Sequence, residues 1–80
     1  MKRAPNFDRS AREAAARVLH IPASRIFIKV DEQHLAADGR PSILINWSDS
    51  MRCPESWDAV REAVRSVLPP KYQRYHLAIV

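Results

Sequence analysis

The chain holds a single glycine in 80 residues, Gly39, and it directly follows Asp38. Asp-Gly tolerates the positive φ angles of a tight hairpin turn, and an alternating apolar segment lies on each side of it. We therefore predict a β-hairpin whose two central turn residues are Asp38 and Gly39. Phosphate-binding loops and dinucleotide-binding fingerprints need several glycines, so both classes are excluded.

The two segments around the glycine alternate as β-strands do, because successive side chains of a strand point to opposite faces. One face of the first strand carries Ile26, Ile28 and Val30, and one face of the second carries Ile43, Ile45 and Trp47. The opposite faces carry Phe27 and Lys29 in the first strand, and Leu44, Asn46 and Ser48 in the second. The first set of faces is predicted to line the core.

The turn also predicts the register of the two strands. A turn centred on residues 38 and 39 pairs Val30 with Trp47, and it brings the two apolar faces together. The same register places Glu32 and His34 on that face beyond the core. Either the hairpin tip projects past the core, or residues 31–37 leave the ladder as a loop.

Two further segments have the periodicity of amphipathic helices. Ser10 begins a capping box, so the first helix starts there or slightly earlier, and Pro22 ends it. The second begins at Pro54 and stops before Pro69 and Pro70. The apolar positions are Phe7, Ala11, Ala14, Ala15, Val18 and Leu19 in the first helix, and Trp57, Val60, Val64, Val67 and Leu68 in the second.

A third strand is predicted in the alternating segment that ends the sequence, residues 71–80. The resulting order, α-β-β-α-β, predicts an α+β fold in which residues 1–80 form one small domain. Its three-stranded sheet is mainly antiparallel and both helices cover one face. The position of the third strand stays open. Its apolar edge is either covered by the hairpin or used in a symmetric dimer, so a monomer and a homodimer both fit.

The core must be stable without a disulfide bond or a structural metal site, because Cys53 is the only cysteine. No internal disulfide is available, and a zinc site would depend on three scattered histidines. We predict that Trp47 and Trp57 help to seal the core. Their predicted neighbours are Ile28, Val30, Ile45, Val60 and Val64.

No arrangement of residues predicts catalysis, a metal or a cofactor. Cys53 has no histidine at a spacing typical of a nucleophile–base pair or a metal site. The acidic pairs Asp31–Glu32 and Asp49–Glu55 lack the lysine-bearing strand motif that small nucleases use. We therefore expect a protein that is not an enzyme and that carries no cofactor.

The sequence contains no apolar run close to the ~20 residues that span a bilayer. Its first residues lack the apolar stretch of a signal peptide. We expect a cytoplasmic protein that does not contact membranes.

Charge suggests two binding surfaces. Thirteen basic and nine acidic residues give a net charge of +4, but residues 31–58 carry two basic and six acidic groups. The acidic candidate surface, which would occupy a basic groove of a partner as phosphates do, is Asp31, Glu32, Asp38 and Asp49. The basic candidate surface, which would bind RNA or DNA phosphates while a tyrosine stacks on a base, is Arg61, Arg65, Lys71, Tyr72, Arg74 and His76. The ordinary alternative is that Tyr75 lies in the core and the arginines only solubilise the second helix.

One segment resembles a known family. Ser-Ile-Leu-Ile-Asn-Trp-Ser-Asp at residues 42–49, with Ala-Arg-Glu at residues 11–13 and a valine-bearing helix further on, is similar to the S-I-x-V-x-W-T-D pattern of a small αββα domain. That family is associated with large polyvalent proteins of phages and conjugative elements. The chain differs from it at residues 50–54, where the pattern has Gly-Pro, and in its additional strand.

The resemblance brings no catalytic residues, but it implies a setting. It implies a chain encoded by a phage or mobile element, where single-domain proteins of this size commonly bind and disable a host machine, as anti-CRISPR proteins do. The first hypothesis is therefore a non-enzymatic inhibitor or adaptor of a host protein or nucleoprotein. The alternative is an RNA- or DNA-binding module that contacts phosphates through its arginine-rich surface.

Overall fold

The computed structural model describes residues 7–48 and 54–80, which form two helices and three strands in the predicted order. The elements are α1 (Asp8–Leu19), β1 (Phe27–Leu35), β2 (Pro41–Asn46), α2 (Trp57–Val67) and β3 (His76–Ile79). Single turns of 3₁₀ helix lie at Ala23–Arg25, Pro54–Ser56 and Pro70–Tyr72. The α+β class is confirmed.

The sheet has the strand order β1-β2-β3, so β2 is the central strand. β1 pairs with β2 antiparallel, as a hairpin does. β3 comes back after α2 and pairs with the other side of β2 in parallel. This order gives the third strand the position that the sequence left open.

The hairpin turn differs from the predicted one. The Gly39 N–H donates to the Ala36 carbonyl (2.9 Å) and the Ala36 N–H donates to the Arg40 carbonyl (2.8 Å). Ala37 and Asp38 are therefore the central residues of the turn, and Gly39 follows them in the left-handed conformation (φ 86°). The predicted two-residue turn is wrong, because a three-residue loop places the glycine after the turn instead of inside it.

The predicted register is also wrong, although the predicted faces are right. Val30 lies opposite Ile43 and not opposite Trp47. The difference is four residues along β2, and an even shift leaves the same side chains on the same face. Ile28 lies opposite Ile45, so the two apolar faces do meet.

A bulge in β1 accounts for the shifted register. Asp31 and Leu35 pair with two adjacent residues of β2, so residues 32–34 have no partner in the ladder. The Asp31 carboxylate accepts hydrogen bonds from the N–H groups of Gln33 (3.0 Å) and His34 (3.2 Å). This local competition with the ladder is typical of aspartate. It removes residues 32–34 from the ladder, and the predicted loop of residues 31–37 does not form, because Asp31 and Leu35 stay paired with β2.

Both helices lie on one face of the sheet, and the core fills the space between them. The residues with less than a tenth of their surface exposed are Phe7, Ala11, Ala15, Ile26, Ile43, Ile45, Trp47, Val60, Val64, Leu68 and Leu77. Trp57 is half-buried and packs against this cluster, together with Ile28 and Val30. The predicted set is thus in the core or at its margin.

The start of α1 agrees with the prediction, but its N-cap and its last residue do not. The helix starts at Asp8, so Ser10 lies inside its first turn, and the N-cap residue Phe7 has no side-chain hydrogen bond. The capping box at Ser10 is therefore wrong. The helix ends at Leu19, where His20 adopts the left-handed conformation (φ 57°), two residues before Pro22.

Candidate functional site

Two arginines of the basic candidate surface bind the backbone of their own chain. Arg61 Nε donates to the Leu77 carbonyl (3.2 Å). The Arg65 guanidinium donates to the carbonyls of Gln73 (2.5 Å) and Tyr75 (3.2 Å). These hydrogen bonds tie α2 to β3 and to the segment that precedes it. Both guanidinium groups are therefore hydrogen-bonded within the fold.

The Leu77 carbonyl lies on the outer edge of the sheet. The Val80 N–H donates to the Ile45 carbonyl on β2 (3.0 Å). Because backbone groups of successive strand residues point to opposite sides, the Leu77 carbonyl points away from β2. A free strand edge attracts pairing with other chains. The hairpin covers one side of β3, as one of the two alternatives predicted, and the arginines of α2 cover part of the other.

Tyr72, the aromatic residue of the basic candidate surface, also packs against other side chains of the chain. The Tyr72 ring lies 4.7 Å from the Phe7 ring and 5.0 Å from the Tyr75 ring, measured between centroids. The Lys71 ammonium lies 5.4 Å from the Tyr72 ring centroid. A ring with these three neighbours is half-buried and is not presented for stacking on a base.

The remaining two members of the basic surface lie on and beside β3. Arg74 is exposed, His76 is half-buried, and neither side chain has a polar partner within the described residues. The structure therefore does not gather the six predicted residues into one free basic surface. Nucleic-acid binding through them stays a prediction.

The acidic candidate residues that the structure describes lie on the arm formed by the bulge and the turn. Asp31 and Glu32 are in the bulge, and Asp38 is in the turn. Asp49 lies outside the described residues. The Asp31 carboxylate holds the bulge together, as described above, so one of its oxygens is occupied.

The other two acidic residues have partners as well. Glu32 accepts a hydrogen bond from the Tyr75 hydroxyl (2.7 Å), which raises the pKa of Tyr75 because the carboxylate favours the protonated phenol. Asp38 lies 2.6 Å from Arg40 Nε. The Arg40 backbone N–H, with the guanidinium adding to it, lowers the pKa of Asp38. Binding of a partner by these acids stays a prediction too.

The face of the sheet turned away from the helices has exposed apolar residues at one end, whereas Ser42 on the same face is fully buried. Phe27 has 63% of its surface exposed and Val80 has 45%. Half-buried Asn46 lies between them on β2, and Leu44 and Ala78 are half-buried in the next row, on neighbouring strands. We call Phe27, Lys29, Leu44, Asn46, His76, Ala78 and Val80 the open face. Neither described helix lies over it.

One row across the sheet has the composition of a catalytic triad but not its arrangement. Asp31, Ser42 and His76 lie side by side on the three strands. A triad needs the histidine between the other two residues, and here the serine is in the middle. Ser42 is fully buried, and its hydroxyl has no hydrogen-bond partner among residues 7–48 and 54–80. The row therefore has no activated, accessible nucleophile.

The described part of the chain contains no group of three or more His, Cys, Asp or Glu residues placed to hold a metal ion. Cys53 lies outside it. In residues 7–48 and 54–80 no helix has the length and apolar character needed to cross a membrane.

A cavity of about 340 Å³ lies at the C-terminal end of α1. Its walls combine apolar and polar side chains: Val18, Leu19, His20, Ile21, Arg25, Trp47, Ser48 and Ser56. The cavity is on the helical side of the fold, remote from the turn of the hairpin.

Sequence reasoning did not single out the open face, although its signal was present. The alternation put Phe27 and Leu44 opposite the core, and two helices on one face leave the other uncovered. Charge patterns drew attention to other residues instead. Comparison of the chain with protein-family models, with curated proteins and with solved structures finds no match.

Proposed function

We propose that the chain is a non-enzymatic binding protein that holds a partner protein against its open face. The observation that carries the proposal is the exposure of Phe27, with 63% of its surface accessible, on the same face of the sheet as three aliphatic residues. Contiguous apolar patches of this kind mark interaction sites, and aromatic residues are enriched in protein interfaces. Burying the Phe27 ring would supply an aromatic anchor for such an interface.

The charge of the open face indicates the chemistry of the partner. Lys29 is exposed on it and His76 borders it. The Asp31 carboxylate on the same face accepts hydrogen bonds from two backbone N–H groups of the bulge. A protein surface with an apolar centre and acidic residues at its margin complements this arrangement.

The two other classes of occupant fit less well. A second copy of the chain would bring Lys29 against a like charge, which disfavours a face-to-face dimer. Surfaces that bind single-stranded nucleic acid combine several stacking rings with a basic groove. The open face offers one ring, and Arg61 and Arg65 are bound to carbonyls of β3 and the segment before it.

The resemblance to a domain of phage and conjugative-element proteins supports the finer form of the proposal. In that form the partner is a host protein or nucleoprotein, and the chain inhibits or adapts it in the manner of an anti-CRISPR protein. The open face is then the inhibitory surface.

Photo-crosslinking tests the proposal. A photoreactive phenylalanine analogue is placed at Phe27 or, as a matched control, at Val67, an exposed apolar residue of α2. Both chains are irradiated in bacterial cells and the adducts are analysed by mass spectrometry. We expect a discrete protein adduct from position 27 that is absent from position 67. Leu44→Asp, which puts a charge in the centre of the open face, should abolish it.

Three results would overturn the proposal. A nuclease-sensitive adduct would assign the face to nucleic acid, and an adduct of twice the chain mass would assign it to a dimer. Equal adducts from positions 27 and 67 would show that the open face is not a specific site.

A further inference from the structure

We propose that the cavity at the end of α1 binds a small molecule that has an apolar body and one anionic group. This site is independent of the open face. Its volume of about 340 Å³ is sufficient for a compact organic ligand. Small-molecule sites typically combine apolar walls with a few polar groups that converge on the ligand.

The walls of the cavity match that description. Four of its residues are apolar, with the nearly buried Trp47 among them: Val18, Leu19, Ile21 and Trp47. The other four are polar, and within the described residues none of their side chains has a hydrogen-bond or ion-pair partner: His20, Arg25, Ser48 and Ser56. His20, Arg25 and Ser48 are exposed, so a ligand with one polar end would replace water at these donors.

Arg25 indicates that this polar end is anionic. The guanidinium groups of Arg40, Arg61 and Arg65 are all bound within the fold. That of Arg25 has no such partner, and no Asp or Glu is among the described residues that line the cavity. A guanidinium group donates two parallel hydrogen bonds to a carboxylate or phosphate. Within the described residues, the cavity thus offers an anion a fork of donors and no carboxylate.

His20 provides a second observation. It ends α1 in the left-handed conformation (φ 57°, ψ 41°), with its N–H bonded to the Ala16 carbonyl. Glycine usually takes this position, since a side chain there is strained. Residues kept in strained conformations cluster at functional sites. A contact between the imidazole and a ligand in the cavity accounts for a histidine at this position.

Three probes of one shape test the proposal by two-dimensional NMR. Benzoate and phenyl phosphate carry an anion on an aromatic ring, and benzamide is the neutral analogue. We expect the anionic probes to shift the Trp47 indole N–H and the backbone N–H groups of His20 and Arg25. The dissociation constant should be roughly millimolar, as is normal for ligands of this size. Benzamide should bind at least about tenfold more weakly. The stronger of the two anionic probes identifies carboxylate or phosphate as the preferred group.

Matched variants separate the proposed site from general charge effects. Arg25→Gln should weaken benzoate binding about tenfold, since it removes a charged hydrogen-bond donor. Arg9→Gln removes the same charge from the exposed start of α1 and should leave binding unchanged. His20→Gly should raise the melting temperature by relieving the left-handed strain, and it should weaken benzoate binding at the same time. A purely structural histidine would give the first effect without the second.

The proposal is overturned if no probe shifts these resonances at roughly 50 mM, well above the expected dissociation constant. It is also overturned if benzoate binds Arg25→Gln as tightly as the unmodified chain, or if the shifts are confined to the open face.

Discussion

Replacing Arg65 by methionine should detach the end of α2 from the segment that leads into β3. The Arg65 guanidinium donates to the carbonyls of Gln73 and Tyr75. In return, the Gln73 side-chain amide donates to the carbonyls of Arg65 (2.9 Å) and Leu68 (2.8 Å). Methionine keeps much of the apolar stem of arginine and removes every donor. The substitution therefore tests the hydrogen bonds and not the packing.

The expected loss follows from the geometry. Two hydrogen bonds from a charged donor are removed, and the site is half-buried, so about 1 kcal/mol each is appropriate. The free energy of unfolding should fall by about 2 kcal/mol. A domain of this size has about 4–12 kcal/mol in total, and its melting temperature should drop by roughly 8–16 °C.

Urea unfolding followed by circular dichroism measures this loss. Arg9→Met is the control, because Arg9 makes an exposed contact with Glu13 (3.4 Å) that is worth about 0.5 kcal/mol or less. Gln73→Ala and the double variant that combines it with Arg65→Met complete a double-mutant cycle. Because the two side chains bind each other's backbone, their effects should not add. An Arg65→Met variant as stable as Arg9→Met would refute the reasoning.

Three further predictions concern the sheet. Ser42→Ala should leave thermal stability unchanged or raise it by up to about 1 kcal/mol, since the buried hydroxyl has no partner; a clear loss would show that the hydroxyl is hydrogen-bonded. Gly39→Ala should cost about 1 kcal/mol in a urea titration, because φ is 86° and an added Cβ meets nothing within 4 Å, so strain is the whole effect. The raised pKa of Tyr75 means that the folded chain holds the phenol proton longer than the unfolded chain, so stability should fall as pH rises above about 10. Tyr75→Phe should remove that part of the alkaline loss when unfolding is compared at about pH 8 and about pH 11, and an unchanged profile would contradict the Glu32 hydrogen bond.

The faces of the strands could be predicted from the sequence, but the register could not. Alternation depends only on local geometry, so Ile28 and Ile45 lie on the same face of the sheet, as expected. Register depends on how many residues the turn and the bulge remove from the ladder. The Asp31 carboxylate accepts the hydrogen bonds that hold the bulge. The alternation of the sequence does not show whether an aspartate in a strand segment binds nearby backbone N–H groups in this way.

The chemistry of the surface was harder to predict than the fold. The sequence shows ten arginines, but it does not show which of them donate hydrogen bonds to backbone carbonyls. Arg61 and Arg65 are placed on the exposed side of α2 by helical periodicity, which is consistent with either a phosphate or a carbonyl as the acceptor. Only the parallel placement of β3 beside β2 brings the Leu77 carbonyl within reach. The open face could have been predicted, because its residues alternate along the strands with the core residues.

The central position of β2 has a consequence for the order of folding. Its contacts with β1 join neighbouring parts of the chain, so the hairpin closes a short loop. Its contacts with β3 are separated by the whole of α2 and require a much longer loop to close. The nucleus should therefore contain β1 and β2, with β3 docking late. Substitutions such as Arg65→Met would then accelerate unfolding and leave the folding rate nearly unchanged, and native-state hydrogen exchange would show β3 opening before the hairpin does.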